Sequence, residues 1–186
     1  SQSTTTPTGQ GFGKSFKMDC TSATSSLGAA ANLIFQQRIE GQNLQLLKKG
    51  TSSAEAVTFS FWVRSNKTGT YTLEMYDTRQ ISKTYTISSA DTWEKKTVNF
   101  AGDTTGAFDN DNASSLTILF WLGAGSNFTS GTFSESWSSA TNANRVSSSQ
   151  VNLADSTSNE WYITGIQMEI GTFDTNTIPS FPFESF

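Results

Sequence analysis

Apolar and polar side chains alternate along much of this chain, most clearly over residues 57–64, Val-Thr-Phe-Ser-Phe-Trp-Val-Arg. Because successive side chains of a β-strand point to opposite faces, one face of this segment is wholly apolar. That face carries Val57, Phe59, Phe61 and Val63. The opposite face is polar except for Trp62. β-Branched and aromatic residues suit a strand that lies across a hydrophobic core, so we predict a central core strand here.

The same alternation predicts further strands, with turn-forming residues between them. They span residues 15–20, 33–40, 70–76, 83–87, 93–100, 116–122 and 161–170. A helical signal is present at residues 43–49, where Asn43 can cap a short turn whose Leu44 and Leu47 point inward. This series of short strands is typical of an all-β protein. We predict an antiparallel β-sandwich, most simply a jelly roll.

The alternation also predicts which side chains face the core. On residues 70–76 it places Glu74 and Tyr76 outward, and on residues 116–122 it places Trp121 outward. On residues 161–170, Trp161, Gln167 and Glu169 are predicted to lie on the face away from the core. The other face of that strand would carry Tyr162, Thr164, Ile166, Met168 and Ile170.

We expect one sandwich domain over residues 14–178. Residues 1–13 are rich in Ser, Thr and Gly and are predicted to be a linker or an arm on a neighbouring subunit. Residues 179–186 are predicted to be an extended aromatic tail that docks against something. Residues 123–160 show no sustained period, and so long a loop is uncommon unless it is functional or held by a partner.

Composition and charge exclude several classes of function. The chain has 186 residues and a net charge of −4, which argues against binding a nucleic-acid backbone. No apolar run reaches the length of a membrane span, so we expect no membrane insertion. The single cysteine excludes an internal disulfide, and the absence of histidine excludes Ser-His-Asp catalysis and His-based metal sites. Chemistry that uses carboxylates alone, as in glycosidases, is compatible with these exclusions.

Outward-facing aromatic residues form the main candidate site. Exposed aromatic rings on one sheet face provide flat apolar surfaces on which sugar rings stack, while polar neighbours bond the hydroxyls. The predicted glycan-binding residues are Trp62, Arg64, Tyr76, Trp121, Trp137, Gln167 and Glu169. The alternative is that these aromatics are buried against loops or another subunit.

The acidic residues offer two further candidates for chemistry. Asp109 and Asp111, two residues apart in an acidic loop, could hold Ca²⁺ through hard oxygen ligands, although the segment does not match an EF-hand and could simply form turns. The glutamates show no spacing that would pair two carboxylates for catalysis. We therefore predict no catalytic residues, no enzyme activity and no cofactor beyond a possible structural calcium ion.

Four stretches together resemble a domain found in structural proteins of tailed bacteriophages, described as tail-fibre or minor virion proteins. They lie at residues 37–44, 59–66, 92–96 together with 100–103, and 161–171, and the resemblance covers roughly residues 35–183. Its most specific segments are Trp-Tyr-Ile-Thr-Gly from Trp161 and Phe-Ala-Gly-Asp-Thr-Thr-Gly from Phe100. The resemblance implies a jelly roll like those of carbohydrate-binding modules, carried on a virion appendage and often trimeric. It carries no catalytic residues over to this chain.

These observations favour a non-enzymatic domain of a phage virion, in a fibre, head decoration or tail appendage, that recognises glycans through exposed aromatics. Its expected partners are other virion subunits in a homotrimer and a host-surface polysaccharide. One alternative is a purely structural domain that packs virion subunits together. Another is a carbohydrate-binding module of a secreted enzyme that degrades polysaccharides, which fits the composition equally well.

Overall fold

The computed structural model describes residues 1–182 of the chain, which form two antiparallel sheets of five strands each. The strands are β1 (Gln2–Ser3), β2 (Ser15–Asp19), β3 (Asn32–Glu40), β4 (Val57–Ser65), β5 (Gly69–Tyr76), β6 (Arg79–Ile87), β7 (Glu94–Phe100), β8 (Ser114–Ala124), β9 (Ser138–Ser139) and β10 (Glu160–Ile170). We name the sheet with strand order β1-β2-β10-β4-β7 sheet A, and the sheet with order β3-β8-β5-β6-β9 sheet B.

The strand order is that of a jelly roll. When the two-residue strands β1 and β9 are set aside, sheet A reads β2-β10-β4-β7 and sheet B reads β3-β8-β5-β6. Eight strands are thus divided between two antiparallel sheets, as in a jelly roll built from two Greek keys. The all-β sandwich expected from the alternation is confirmed.

The core lies between the two sheets and is largely aromatic. Phe61 of β4 contacts Tyr85 and Phe120 edge-on, with both pairs of ring centroids 5.1 Å apart. The predicted inward faces of three strands are confirmed, because all their members are buried in one cluster. These members are Val57, Phe59, Phe61 and Val63 of β4, Tyr71, Leu73 and Met75 of β5, and Leu116, Ile118, Phe120 and Leu122 of β8.

Helical structure is confined to short segments. The predicted turn at residues 43–49 is a 3₁₀ helix over Gly41–Leu47, and it buries Leu44 and Leu47 as expected. The other helical segments are Ser126–Thr129, Asn142–Asn144 and Leu153–Asp155. Among the helices of residues 1–182, none has the length and apolar character that a membrane span requires.

The face assignment of β10 was wrong over its first half. Trp161 and Ile163 point into the core, and Tyr162 and Thr164 point outward. The register of β10 against β4 shifts between Thr164 and Gln167, which is a β-bulge. The extra residue of a bulge reverses the side-chain parity along a strand. The prediction assumed strict alternation along the whole strand. It is therefore correct only for the residues after the bulge, where Met168 packs against the core.

Both ends of the described chain lie against sheet A. Within residues 1–13, β1 pairs with β2, and the amino terminus of Ser1 donates to the carbonyl of Lys17. At the other end Ile178 is buried and the carbonyl of Pro179 accepts a hydrogen bond from Gln167. The last four residues of the predicted tail, 183–186, lie outside the described residues.

A cleft on the outer face of sheet A

The predicted glycan-binding residues are divided between two sheets. The outer face of sheet A carries Trp62, Arg64, Gln167 and Glu169. The outer face of sheet B carries Tyr76 and Trp121, while Trp137 lies in the loop before β9. A single platform built from all of these aromatics is therefore ruled out by the sandwich itself. The two outer faces are therefore separate candidate surfaces.

Trp62 lies in a cleft of about 310 Å³ on the outer face of sheet A. Two other rings line the cleft, Phe12 from the N-terminal arm and Phe181 from the C-terminal tail. Their centroids are 5.1 Å apart and their planes are nearly perpendicular, at 73°. The three rings, each partly exposed, come from three distant parts of the chain.

Strand register places polar groups beside these rings. Across the sheet, Trp62 is opposite Lys95 of β7 and Thr164 of β10, so the three residues share one face. One step along that face, Ser60 is opposite Gln167. Ser60, Lys95 and Gln167 line the cleft, and Gln10 and Ser180 complete its polar lining.

The ring of Phe12 packs on Gly165, which lies in the bulge of β10. Gly165 has φ +60°, a left-handed conformation that glycine adopts without steric cost. A Cβ at this position would lie 2.4 Å from the ring of Phe12. The absence of a side chain thus lets the N-terminal arm lie directly on the sheet beside Trp62.

Gln167 and Glu169 are already engaged with neighbours. The side-chain nitrogen of Gln167 donates to Glu169 Oε1 at 2.8 Å and to the carbonyl of Pro179 at 3.1 Å. Gln167 is buried and lies on the wall of the cleft. Glu169 is partly exposed and does not line the cleft. Gln167 thus holds the C-terminal tail against the sheet through Pro179, and Glu169 accepts a bond from Gln167.

Arg64 belongs to a separate charged cluster on the same face. Its guanidinium bonds Asp91, with Nη2 2.8 Å from Oδ1, and lies 5.0 Å from the centroid of the Tyr162 ring. Glu160 accepts hydrogen bonds from Lys17 and from the hydroxyl of Tyr162. These two bonds hold the pKa of the Glu160 carboxyl below its usual range. The cluster is internally paired, so it offers little unpaired charge to a ligand.

Trp121 and Tyr76 do not form an exposed platform. Trp121 is fully buried, because the loop between β8 and β9 covers it, with Phe128 at 5.2 Å between ring centroids. Arg145, from the segment between β9 and β10, lies 4.4 Å from the centroid of Tyr76 and 5.2 Å from that of Trp121. The sheet position of Trp121 was predicted correctly, but its expected exposure was wrong.

Beneath this cover lies a buried ion pair that the alternation placed at the surface. Glu74 has no exposed area, and both of its oxygens accept hydrogen bonds from Arg145, at 2.8 and 3.1 Å. The indole nitrogen of Trp121 donates to Glu74 Oε2 at 2.8 Å. Burial raises the pKa of Glu74, while the bonds from Arg145 and Trp121 oppose that rise. The only sequence signal was a glutamate between Leu73 and Met75 in an otherwise buried strand.

Trp137 is also held by contacts within the protein. Its indole nitrogen donates to the carbonyl of Ala101 at 2.7 Å, and its ring centroid lies 5.5 Å from Lys49 Nζ. Lys49 is buried and pairs with Asp77 at 2.9 Å and Asp103 at 3.2 Å. Trp137 therefore packs over a buried charge network and is a poor candidate for a sugar platform.

Asp109 and Asp111 lie in the loop before β8 and take part in turn contacts. The carbonyls of Asp109 and Asp111 accept bonds from Gln45 and Gln42, and Asp111 Oδ1 accepts from the backbone of Ala113. Within residues 1–182, no three Asp, Glu, Cys or His side chains come together as a metal site would require. A calcium site at Asp109 and Asp111 stays a prediction without support from neighbouring ligands.

The residues that complete the cleft could not be found by strand periodicity. Phe12 is a lone aromatic between two glycines of the arm, and Phe181 lies between serine and proline in the tail. The available signals were the isolation of Phe12 in a polar arm and the aromatic character of the tail around Phe181, which was predicted to dock against something. Comparison with the models of known protein families, with curated proteins and with solved structures found no match for this chain.

Proposed function

We propose that this chain is a non-catalytic glycan-recognition domain carried on the virion of a tailed bacteriophage. The observation that carries the proposal is the cleft around Trp62. It combines three aromatic rings with the side chains of Ser60, Gln167 and Lys95 in about 310 Å³. The lining is divided about evenly between aromatic and polar surface, and an aromatic surface with polar groups beside it is what binding of a sugar requires.

The chemistry of the cleft suits a sugar. A pyranose ring has an apolar face of C–H groups that packs on an aromatic ring, and hydroxyls around its edge that need hydrogen-bond partners. Trp62, Phe12 and Phe181 offer the aromatic surfaces, and the neutral side chains of Gln10, Ser60 and Ser180 can bond hydroxyls. Because the rigid sheet holds Trp62, little ordering is needed when a ligand binds.

The proposed location on a virion rests on the resemblance to phage structural proteins. A virion carries many copies of such a domain, which can compensate for weak binding at each one. One shallow cleft is expected to bind a sugar weakly. Several copies on a trimeric fibre or capsid would raise the overall avidity for a polysaccharide without any new contact. The natural partner would then be a repeating polysaccharide on a host surface, and the protein would be located in the virion.

Replacing the platform residue tests the proposal. We expect Trp62→Ala to weaken binding to a retained glycan at least about tenfold, because the largest stacking surface is lost. The measurement is a screen on immobilised bacterial polysaccharides, followed by calorimetric titration of the glycan that is retained.

The matched control is Phe16→Ala. Phe16 is a partly exposed phenylalanine of the same sheet that packs on Phe35 and does not line the cleft. The Phe16→Ala variant should bind the glycan with unchanged affinity, and thermal unfolding should show that both variants fold. Equal affinity of Trp62→Ala and the wild type, or retention of no glycan by the wild type, would refute the proposal.

A role in assembly is the second candidate, and a groove at one edge of the sandwich favours it. The groove has a volume of about 280 Å³ and lies between β3 and the second half of β10, with Phe35, Ile118 and Met168 among its lining residues. Ile166 also lines the groove and is 39% exposed, and Ile170 at the end of β10 is 41% exposed. Exposed apolar sheet edges are commonly covered by another chain. The proposed occupants are further copies of this chain.

Light scattering tests the assembly role. We expect a mass above that of the monomer at micromolar concentration, and we expect Ile166→Lys to reduce it, because a charge in an apolar contact is costly to desolvate. The control Leu46→Lys changes a more exposed leucine on the 3₁₀ helix and should leave the mass unchanged. A wild type that stays monomeric at all concentrations would contradict this role and leave glycan binding unaffected.

A further inference from the structure

The cleft around Trp62 carries a positive charge in an acidic protein. Among the lining residues that belong to the described part of the chain, 1–182, Lys95 is the only charged one, and the other polar lining groups are amides and hydroxyls. The chain as a whole has a net charge of −4. Within residues 1–182 no carboxylate belongs to the lining, although acidic residues outnumber basic ones along the chain, 16 to 12.

Lys95 differs from the other basic residues of sheet A in having no internal partner. Lys17 pairs with Glu160, Arg64 with Asp91, and Lys96 with Glu94. Within residues 1–182, Lys95 takes part in none of the ion pairs or side-chain hydrogen bonds. Its ammonium group is therefore available to an anion in the cleft.

The register explains why neighbouring lysines behave differently. Lys95 is opposite Trp62 and shares its outward face, whereas Lys96 is opposite Phe61, which points into the core. The side chain of Lys96 bonds Glu94 instead of reaching the cleft. Strand β7 thus directs Lys95 toward the cleft, whereas Lys96 forms an ion pair with Glu94.

We infer that the ligand of this cleft is an acidic glycan, in which a sugar packs on Trp62 while its anionic group pairs with Lys95. The inference rests on the proposed glycan recognition and specifies the class of sugar. An ammonium group is a compact positive charge that donates hydrogen bonds equally well to a carboxylate or to a sulfate. A uronate and a sulfated sugar are therefore both candidate sources of the anion, and the experiment distinguishes them.

The test compares sugars that differ only in charge. The wild type is titrated with oligogalacturonate and with the same oligomer as its methyl ester, and it is also screened on alginate, a sulfated carrageenan and neutral dextran. We expect retention by at least one acidic polymer, and weaker binding when its carboxylates are esterified. A preference for the sulfated polymer over both uronates would assign the anion to sulfate.

The variant Lys95→Gln is expected to bind the acidic glycan about fivefold more weakly at low salt, because one partly exposed ion pair is lost. The difference should shrink toward twofold or less at about 0.5 M salt, where screening is strong. Arg38→Gln removes the same unit charge from an exposed position on sheet B and should have no effect.

The outcomes separate this inference from the function on which it rests. If Trp62→Ala abolishes binding and Lys95→Gln leaves both affinity and salt dependence unchanged, the acidic class is overturned and glycan recognition stands. Binding restricted to neutral polymers also overturns the acidic class and leaves glycan recognition standing. If the wild type binds none of the polymers, both proposals are overturned.

Discussion

Replacing Arg145 by alanine is expected to lower the free energy of unfolding by about 3–5 kcal/mol. Arg145 is the cation that both oxygens of the fully buried Glu74 contact. Its removal leaves a carboxylate inside the protein with only the indole nitrogen of Trp121 as a side-chain donor. It also removes the guanidinium that packs on the ring of Tyr76. An uncompensated buried charge is among the most destabilising changes that one substitution can make.

Chemical denaturation monitored by tryptophan fluorescence measures this change. Arg38→Ala is the control, since Arg38 is exposed and its loss should change stability by less than about 0.5 kcal/mol. The double variant Glu74→Gln with Arg145→Met should recover part of the loss, because it no longer leaves a charge without a partner. A loss below about 1 kcal/mol for Arg145→Ala would show that the pair does not hold the loop.

The pH dependence of this loss has a definite sign. Burial raises the pKa of Glu74 in the folded protein, so protonation of Glu74 favours folding at low pH and this contribution is lost as the pH rises through the folded pKa. Without Arg145 the pKa rises further, because a cation that favours the ionised form is gone. The destabilisation of Arg145→Ala should therefore be larger at pH 8 than at pH 5. An equal loss at both pH values would indicate that Glu74 is not the group responsible.

Replacing Lys49 by methionine is expected to lower the free energy of unfolding by about 3 kcal/mol. The ammonium group of Lys49 lies within 3.2 Å of Asp77 and Asp103 and donates to the carbonyls of Thr105 and Gly106. Its side chain is only 4% exposed, so water cannot replace these bonds without opening the loop. Methionine keeps the length of the apolar stem, and the change therefore isolates the charge.

The adjacent lysine is the matched control. Lys48 pairs with Glu55, but its side chain is 52% exposed, and a solvent-exposed ion pair contributes about 0–1 kcal/mol. Denaturation curves of Lys48→Met and Lys49→Met should therefore differ by roughly 2 kcal/mol. Similar curves for the two variants would contradict the buried network.

Acid unfolding gives a second measurement on the same network. Burial opposes the ionisation of Asp103, but the bonds from Arg79, the Thr105 backbone and Lys49 outweigh it and leave its pKa below the usual 3.8. A lowered folded pKa contributes stability above the unfolded pKa that is lost as the pH falls through the folded value. Because Lys49→Met raises the pKa of Asp103, its acid unfolding should begin at a higher pH than that of the wild type.

Both networks attach long polar loops to the sandwich. The Glu74–Arg145 pair holds the loop between β9 and β10 over sheet B, and the Lys49 network holds the loop between β7 and β8. Neither loop leaves an aromatic platform exposed, since Trp121 and Trp137 are both engaged with these networks. On the outer face of sheet A, in contrast, the partly exposed Trp62 lines a cleft.

The sequence by itself determined the eight longer strands, the inward faces of β4, β5 and β8, and the position of Trp62 on an outward face, but not the two-residue strands β1 and β9. These features follow from alternation, which depends on neighbouring residues within one strand. The tertiary structure alone decided the bulge at Gly165, the burial of Trp121 and the meeting of Phe12 with Phe181 beside Trp62. Each of these depends on contacts between segments far apart in the chain. Local periodicity carries no information about which loop covers a face or which terminus crosses it.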